Sequence, residues 1–291
     1  MTKRYRLMKP SINKYKFTGH TMQYHGRTLY RIQALRSFND VKVGDLGGWI
    51  ESYDNLSQFD GAWVYDEAKV YDNAKIYDNA KVQDYAIVSG NARIYNFANI
   101  SDKAQISHKA RIYDRAYVYN YAQISGMAKI YGKAQIYGFA KIYGEARVNW
   151  ESKVYNDAQV YDQAYISRTA EIYGKAKIYE NAEITDEAKV YGHSTEIFGN
   201  AIISGDAIVE FNKDYMVLKN NWSNNEYFTY THSNKQYVVE GFNYTATELI
   251  EKAYEDSQLD GDCYKNIIES VERLYTIFDQ QNYLNKNRVS N

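Results

Sequence analysis

From Val64 onward the chain counts in sixes. Every sixth residue through Val190 is Ile or Val, 22 positions without a break. Four residues after each stands Ala in 20 of the 22 units, with Ser152 and Ser194 as the exceptions. Two residues after each aliphatic comes Gly, Asp or Asn in 18 units. A period of six cannot keep one face of a helix in register at 3.6 residues per turn, and it is not the heptad of a coiled coil. As strand the pattern works. The aliphatic points inward, its two neighbours point outward, and the Ala fills a tight inner corner. Gly, Asp and Asn tolerate the left-handed backbone that a sharp corner needs. Three units then close an 18-residue coil, and coils stack as parallel strands about 4.8 Å apart.

The register slips once. Position 196 is Glu, and the aliphatic positions resume at Ile197, Ile203 and Val209, so one residue is inserted near His193-Ser194-Thr195. Both phases give 25 units, or about eight coils. The expected fold is an all-β solenoid, a parallel β-helix over residues 58–211. A small β cap at 1–57 and a C-terminal α+β module at 212–291 would cover its open strand edges. In the cap, Thr21–Tyr24 and Thr28–Ile32 read as a hairpin around His25-Gly26. In the C-terminal module, Glu226–Thr231 and Gln236–Glu240 read as a second hairpin. Thr245 and Glu248 form a capping box opening a helix to about Gln258. Leu259-Asp260-Gly261-Asp262 is expected to break it, with a second helix from Cys263 to Gln281.

The (Ile/Val)-x-(Gly/Asp/Asn)-x-Ala-x unit resembles the hexapeptide-repeat family, whose members fold as left-handed β-helices. That handedness is an implication of the resemblance, since parallel crossovers are otherwise right-handed. The segment Phe38-Asn-Asp-Val-Lys-Val-Gly-Asp-Leu-Gly-Gly-Trp-Ile-Glu51, followed by Leu56-Ser57 and Trp63-Val64-Tyr65-Asp66, is similar to the opening of the YdcK-like group of such proteins. That group is found in bacteria and very commonly in phages and prophages. The resemblance covers roughly residues 1–211, and the tail resembles no known family. It implies self-association, dimeric or trimeric, and a transferase label that many members carry on the repeat alone. Fold does not fix function.

Composition narrows the setting. The 32 Tyr and single Pro suit half-buried pleated surfaces. One cysteine, Cys263, excludes a disulfide framework and a multi-cysteine metal site. The basic first thirty residues hold no apolar core run of a secretory signal, and no stretch approaches a membrane span. The expectation is the cytoplasm, that of the host if the chain is phage-encoded, and no membrane. Residues 1–50 carry ten Lys/Arg against two Asp/Glu, while residues 212–291 carry eight against twelve. The basic end could meet a polyanion or an acidic partner.

Candidate chemistry is sparse inside the repeat and richer outside it. The enzymes of the hexapeptide family are acyltransferases that use a catalytic His as general base. Here the candidates are His193, at the register slip, and His108, at a corner. Acetyl-CoA is the cofactor under that alternative, and otherwise none is expected. No His/Cys spacing suits a metal. Sorting outward residues by the 18-residue coil gives an aromatic patch on the first face: Tyr117, Tyr119, Tyr121, Tyr137, Phe139 and Tyr155. Such patches mark protein interfaces, and stacked Tyr ladders also stabilise strands. The third face carries Lys75, Arg93, Arg111, Lys129 and Arg147 before its aliphatics and Tyr77, Tyr95, Tyr113 and Tyr131 after them. Arg115 and Lys133 stand at its corners. Interleaved aromatics and cations suit nucleic acid. The leading expectation is a noncatalytic binding scaffold for a protein partner, such as a phage accessory protein that blocks a host-defence protein. The alternatives are the acyltransferase and a nucleic-acid or polyanion binder.

Overall fold

The computed structural model describes residues 13–289. Four of the ten basic residues of the first fifty, Lys3, Arg4, Arg6 and Lys9, lie outside the described residues. The six-residue repeat forms a parallel β-solenoid of about nine turns with three sheet faces. Each unit contributes a two-residue strand that pairs in parallel with the unit one turn on, as Gln105 and Ile106 do with Gln123 and Ile124. Ile, Val and Ala of the repeat are fully buried and form one continuous core. At the corners, backbone is left-handed throughout, from Asp66 (φ 48°) to Gly205 (φ 64°), as the choice of residues requires.

The solenoid is one turn longer than the repeat suggests. Strand β3 (Leu46–Ile50) already pairs in parallel with the repeat, Trp49 against Lys69 and Ile50 against Val70. Leu56 bridges Ile76 in the same way. Val64 follows Leu56 by eight positions, so two extra residues break the count of six and hide this turn from a periodic search. Ahead of it, β1 (Tyr15–Tyr24) and β2 (Arg27–Ala34) form the expected hairpin, with His25 and Gly26 both at positive φ in the turn. Phe38 and Tyr15 pack edge-on against Trp63 and close the end of the core.

Side chains stand in for the missing turns at both ends. Within the solenoid, a corner carbonyl and the following Ala carbonyl each accept a backbone N–H from the turn before, as Asp84 and Ala86 do from Glu67 and Lys69. At the first turn, the Asn55 amide donates to Asp72 O (3.0 Å) and Ala74 O (2.9 Å). The buried Lys14 ammonium does the same for Asp60 O (3.1 Å) and Ala62 O (2.7 Å). At the far end the last strand of each face has a free N–H. Asn212 Oδ1, Thr229 Oγ1 and Ser233 Oγ accept from Glu196, Ile202 and Ile208 at 2.8, 3.0 and 2.7 Å. The open edges are thereby satisfied, as buried polar groups must be.

The C-terminal module is a four-stranded antiparallel sheet, β4 (Tyr215–Lys219), β5 (Tyr227–Thr231), β6 (Gln236–Val239) and β7 (Phe242–Tyr244). Helices α1 (Ala246–Asp256) and α2 (Gln258–Val289) pack on it around Phe228, Tyr237, Tyr264 and Ile268. The Thr245–Glu248 capping box is present. The break between helices falls at Ser257 rather than at Leu259–Asp262, which forms the first turn of α2. Ser257 Oγ donates to Asp260 Oδ2 (2.6 Å) and accepts from its N–H (3.0 Å), starting the new helix directly. Gly261 is helical, and a Cβ there would collide with the Tyr254 ring. It is a close-approach glycine and not a breaker.

Candidate binding surfaces

The register slip makes a shallow bulge. Thr195, not Ser194, takes the buried Ala position, and its hydroxyl bonds Tyr191 O at 2.6 Å. His193 is exposed there and makes no hydrogen bond or ion pair among the described residues. His108 is exposed at its left-handed corner, its Nδ1 2.9 Å from Ser107 Oγ. Neither stands beside a carboxylate. A third histidine does, and its carboxylate partner lies 47 positions away, beyond any local pattern. His232 Nε2 lies 3.0 Å from Asp279 Oδ1 on α2 and stacks on Tyr275, in a cleft of about 350 Å³ at the end of the solenoid. Among the described residues no group of three or more His, Cys, Asp and Glu could hold a metal.

Tyrosines stack along every face. On the first face Tyr119, Tyr137, Tyr155, Tyr173 and Tyr191 run as one column with centroids 4.7–5.0 Å apart, and Tyr117 leans on Tyr119 at 4.5 Å. Tyr121 and Phe139 form a second stack at the adjoining corner, 4.9 Å apart. The six residues of the aromatic patch are thus brought together. They are not equivalent. The column residues cover one another's ring faces, and burial pushes the Tyr155 hydroxyl up to about 12. Tyr121 and Phe139 stay 46% and 56% exposed. Lys103 sits over the Tyr121 ring at 5.3 Å, and exposed Tyr85 continues the same corner. A further column on the second face, Tyr143, Tyr161, Tyr179 and Phe198, went unnoticed in the sequence although it occupies the same place in the repeat.

On the third face Tyr77, Tyr95, Tyr113 and Tyr131 stack within 4° of parallel. The column ends at Asn149, whose amide donates to the Tyr131 and Tyr165 hydroxyls. Beside it Lys75, Arg93, Arg111, Lys129 and Arg147 lie in direct register across five strands. None of the five forms an ion pair among the described residues. Elsewhere Lys153 pairs with Glu171 at 3.0 Å and Lys177 with Glu196 at 2.8 Å, each one turn on. Of the two corner cations, Lys133 pairs with Glu151 and holds that carboxyl below its usual range. Arg115 sits over Phe97 at 5.9 Å.

One corner breaks the Gly/Asp/Asn rule conspicuously. Trp150 holds φ 56° and is 65% exposed. A bulky side chain in this region is a strained outlier. It walls a cleft of about 420 Å³ with Tyr131, Gly132, Lys133, Glu151 and Asp114. The departure from the corner pattern at 150 was the signal available in the sequence.

A scan of protein-family models and a search of curated proteins both return no match to this chain. The class established is therefore that of the parallel β-solenoids, capped at both ends. No helix among the described residues is long and apolar enough to cross a membrane.

Proposed function

We propose that the chain is a noncatalytic binding scaffold that holds a protein partner on its first face, the first partner to test being a second copy of the chain. The observation that carries this reading is the Tyr121–Phe139 stack, about half exposed beside the Tyr117–Tyr155 column. Rigid, exposed aromatics anchor interfaces at low entropic cost. The corner repeat supports a finer placement among the left-handed hexapeptide-repeat proteins, and the Phe38–Glu51 segment supports one within the YdcK-like group, whose occurrence in phages fits an accessory role in the host cytoplasm.

The test is Tyr121→Ser with Phe139→Ser, chosen because these rings support no longer column. Mass by sedimentation and the set of proteins co-purifying from the native host are compared with wild type. The double variant should keep its melting temperature and lose the oligomer or partner. A folded variant with unaltered mass and partners refutes the reading. The acyltransferase alternative, with His193 or His108 as base, predicts a thermal shift with acetyl-CoA that His193→Ala or His108→Ala abolishes.

A further inference from the structure

The cation column of the third face is costly as built. Like charges directly opposite on adjacent strands repel, and here five stand in a row. The solenoid neutralises other lysines simply, with a Glu one turn on, as at Lys153 and Lys177. The column lacks that device. A groove of about 190 Å³ alongside adds Lys109 to Arg111, Lys129 and Arg147, against Glu145 alone. Such a stripe is complementary to a chain of negative charges.

The tyrosines beside it cannot supply a stacking platform, because each covers its neighbour's ring face. Trp150 can. Its indole stacks on no other ring among the described residues and stands on the same turn as Arg147, across the face from the cation column. Gly132, one turn below in the same corner column, packs directly on the Trp150 backbone, where a Cβ would lie 2.7 Å from its N, and lines the same cleft. The acids of the cleft are already engaged. Asp114 accepts from Gly132 N and the Asn96 amide, and Glu151 pairs with Lys133.

We propose that the third face is a binding track for single-stranded nucleic acid, with phosphates on the Lys75–Arg147 column and one base stacked on Trp150. A base must be free of a duplex to reach the indole, which selects the single strand. This surface is separate from the aromatic corner of the first face, and the two proposals stand or fall independently.

The probe is fluorescein-labelled dT12, titrated with the full chain by fluorescence anisotropy across a salt series. Four to five phosphate contacts predict a slope of log K against log salt of about −3, at about 0.7 per contact on a single strand. Arg93→Ala/Arg111→Ala/Lys129→Ala should weaken binding at least tenfold and flatten the slope by about 2. Trp150→Gly should weaken binding about fivefold or more, leave the slope unchanged and melt no lower than wild type, since Gly fits this corner better. Trp150→Phe should retain most of the affinity. The proposal is overturned by any of three results: no saturable binding, a poly-glutamate peptide or a 12-bp duplex binding more tightly than dT12, or a Trp150→Gly variant with wild-type affinity.

Discussion

Between pH 7 and 9 one buried residue, Lys14, should make this protein more stable as the pH rises. Lys14 is fully buried, its ammonium donating to Asp60 O and Ala62 O in place of a missing turn. Burial lowers its pKa from 10.5 to about 8, opposed by the Asp60 carboxylate and helped by Arg36. Between those values the unfolded chain binds the proton and the native chain does not, so stability rises with pH. The full window corresponds to about 3 kcal/mol, of which about 1 kcal/mol is gained by pH 9. From about pH 9 the stacked tyrosines act in the opposite sense, because the unfolded chain's tyrosines begin to lose protons as their ordinary value near 10 is approached. Burial pushes Tyr113 and Tyr155 up to about 12, so the unfolded chain loses those protons first and stability falls. The maximum should therefore lie below pH 10, near pH 9. Urea midpoints at pH 7, 8 and 9 test this, with Lys14→Met as the control. Over that range the wild-type midpoint should climb relative to that of Lys14→Met, whatever the absolute values. A wild-type midpoint that falls relative to the variant between pH 7 and 9, or a variant that climbs in parallel, refutes the assignment.

Three further outcomes follow from the packing. Ala134→Leu should cost about 1–3 kcal/mol or more, because the Ala column has no space between turns, while the outward change Gln135→Lys should be near neutral; thermal melts of the pair decide it. Asn55→Leu should cost about 2–5 kcal/mol in urea unfolding, since it leaves the Asp72 and Ala74 carbonyls without their donor and Glu51 and Ser52 N–H without their acceptor. Gly261→Ala should destabilise the C-terminal module by about 1–3 kcal/mol against the Tyr254 ring, which its hydroxyl pins to Asp262 at 2.7 Å. A helical Gly→Ala change otherwise gains about 1 kcal/mol, so the sign alone is decisive.

The solenoid was legible because its core is periodic. Once Val64 and the Ala four residues later point inward, every later unit repeats the geometry at the same spacing. What escaped was aperiodic. The turn through Ile50 and Leu56 is interrupted by two residues, and its hydrogen bonds are supplied by Asn55 and Lys14, whose partners lie 17–19 and 46–48 positions away. No local pattern announces such a substitution. The helix boundary was misplaced because Gly261 has two physical meanings, a breaker in isolation and a close-contact residue under Tyr254, and only the tertiary neighbour distinguishes them. The strands Tyr215–Lys219 and Phe242–Tyr244 were missed for a similar reason: each is short, and each is held by pairing with the hairpin the sequence did reveal.

The outer surface asks a different question, because repetition there obscures function. A Tyr that follows the core aliphatic on turn after turn gains its ring contacts from the Tyr above and below. Its presence is explained by the stack and carries little information about a ligand. The informative residues are those that break a column or leave one unneutralised. Tyr121 and Phe139 stack as a pair without extending a longer column. Trp150 accepts a backbone conformation that Gly, Asp or Asn would hold at lower cost. The Lys75–Arg147 row forgoes the carboxylates that the same fold places beside Lys153 and Lys177. Each of these departures leaves a strained backbone, an unneutralised charge or exposed apolar surface. These departures are where binding should be sought.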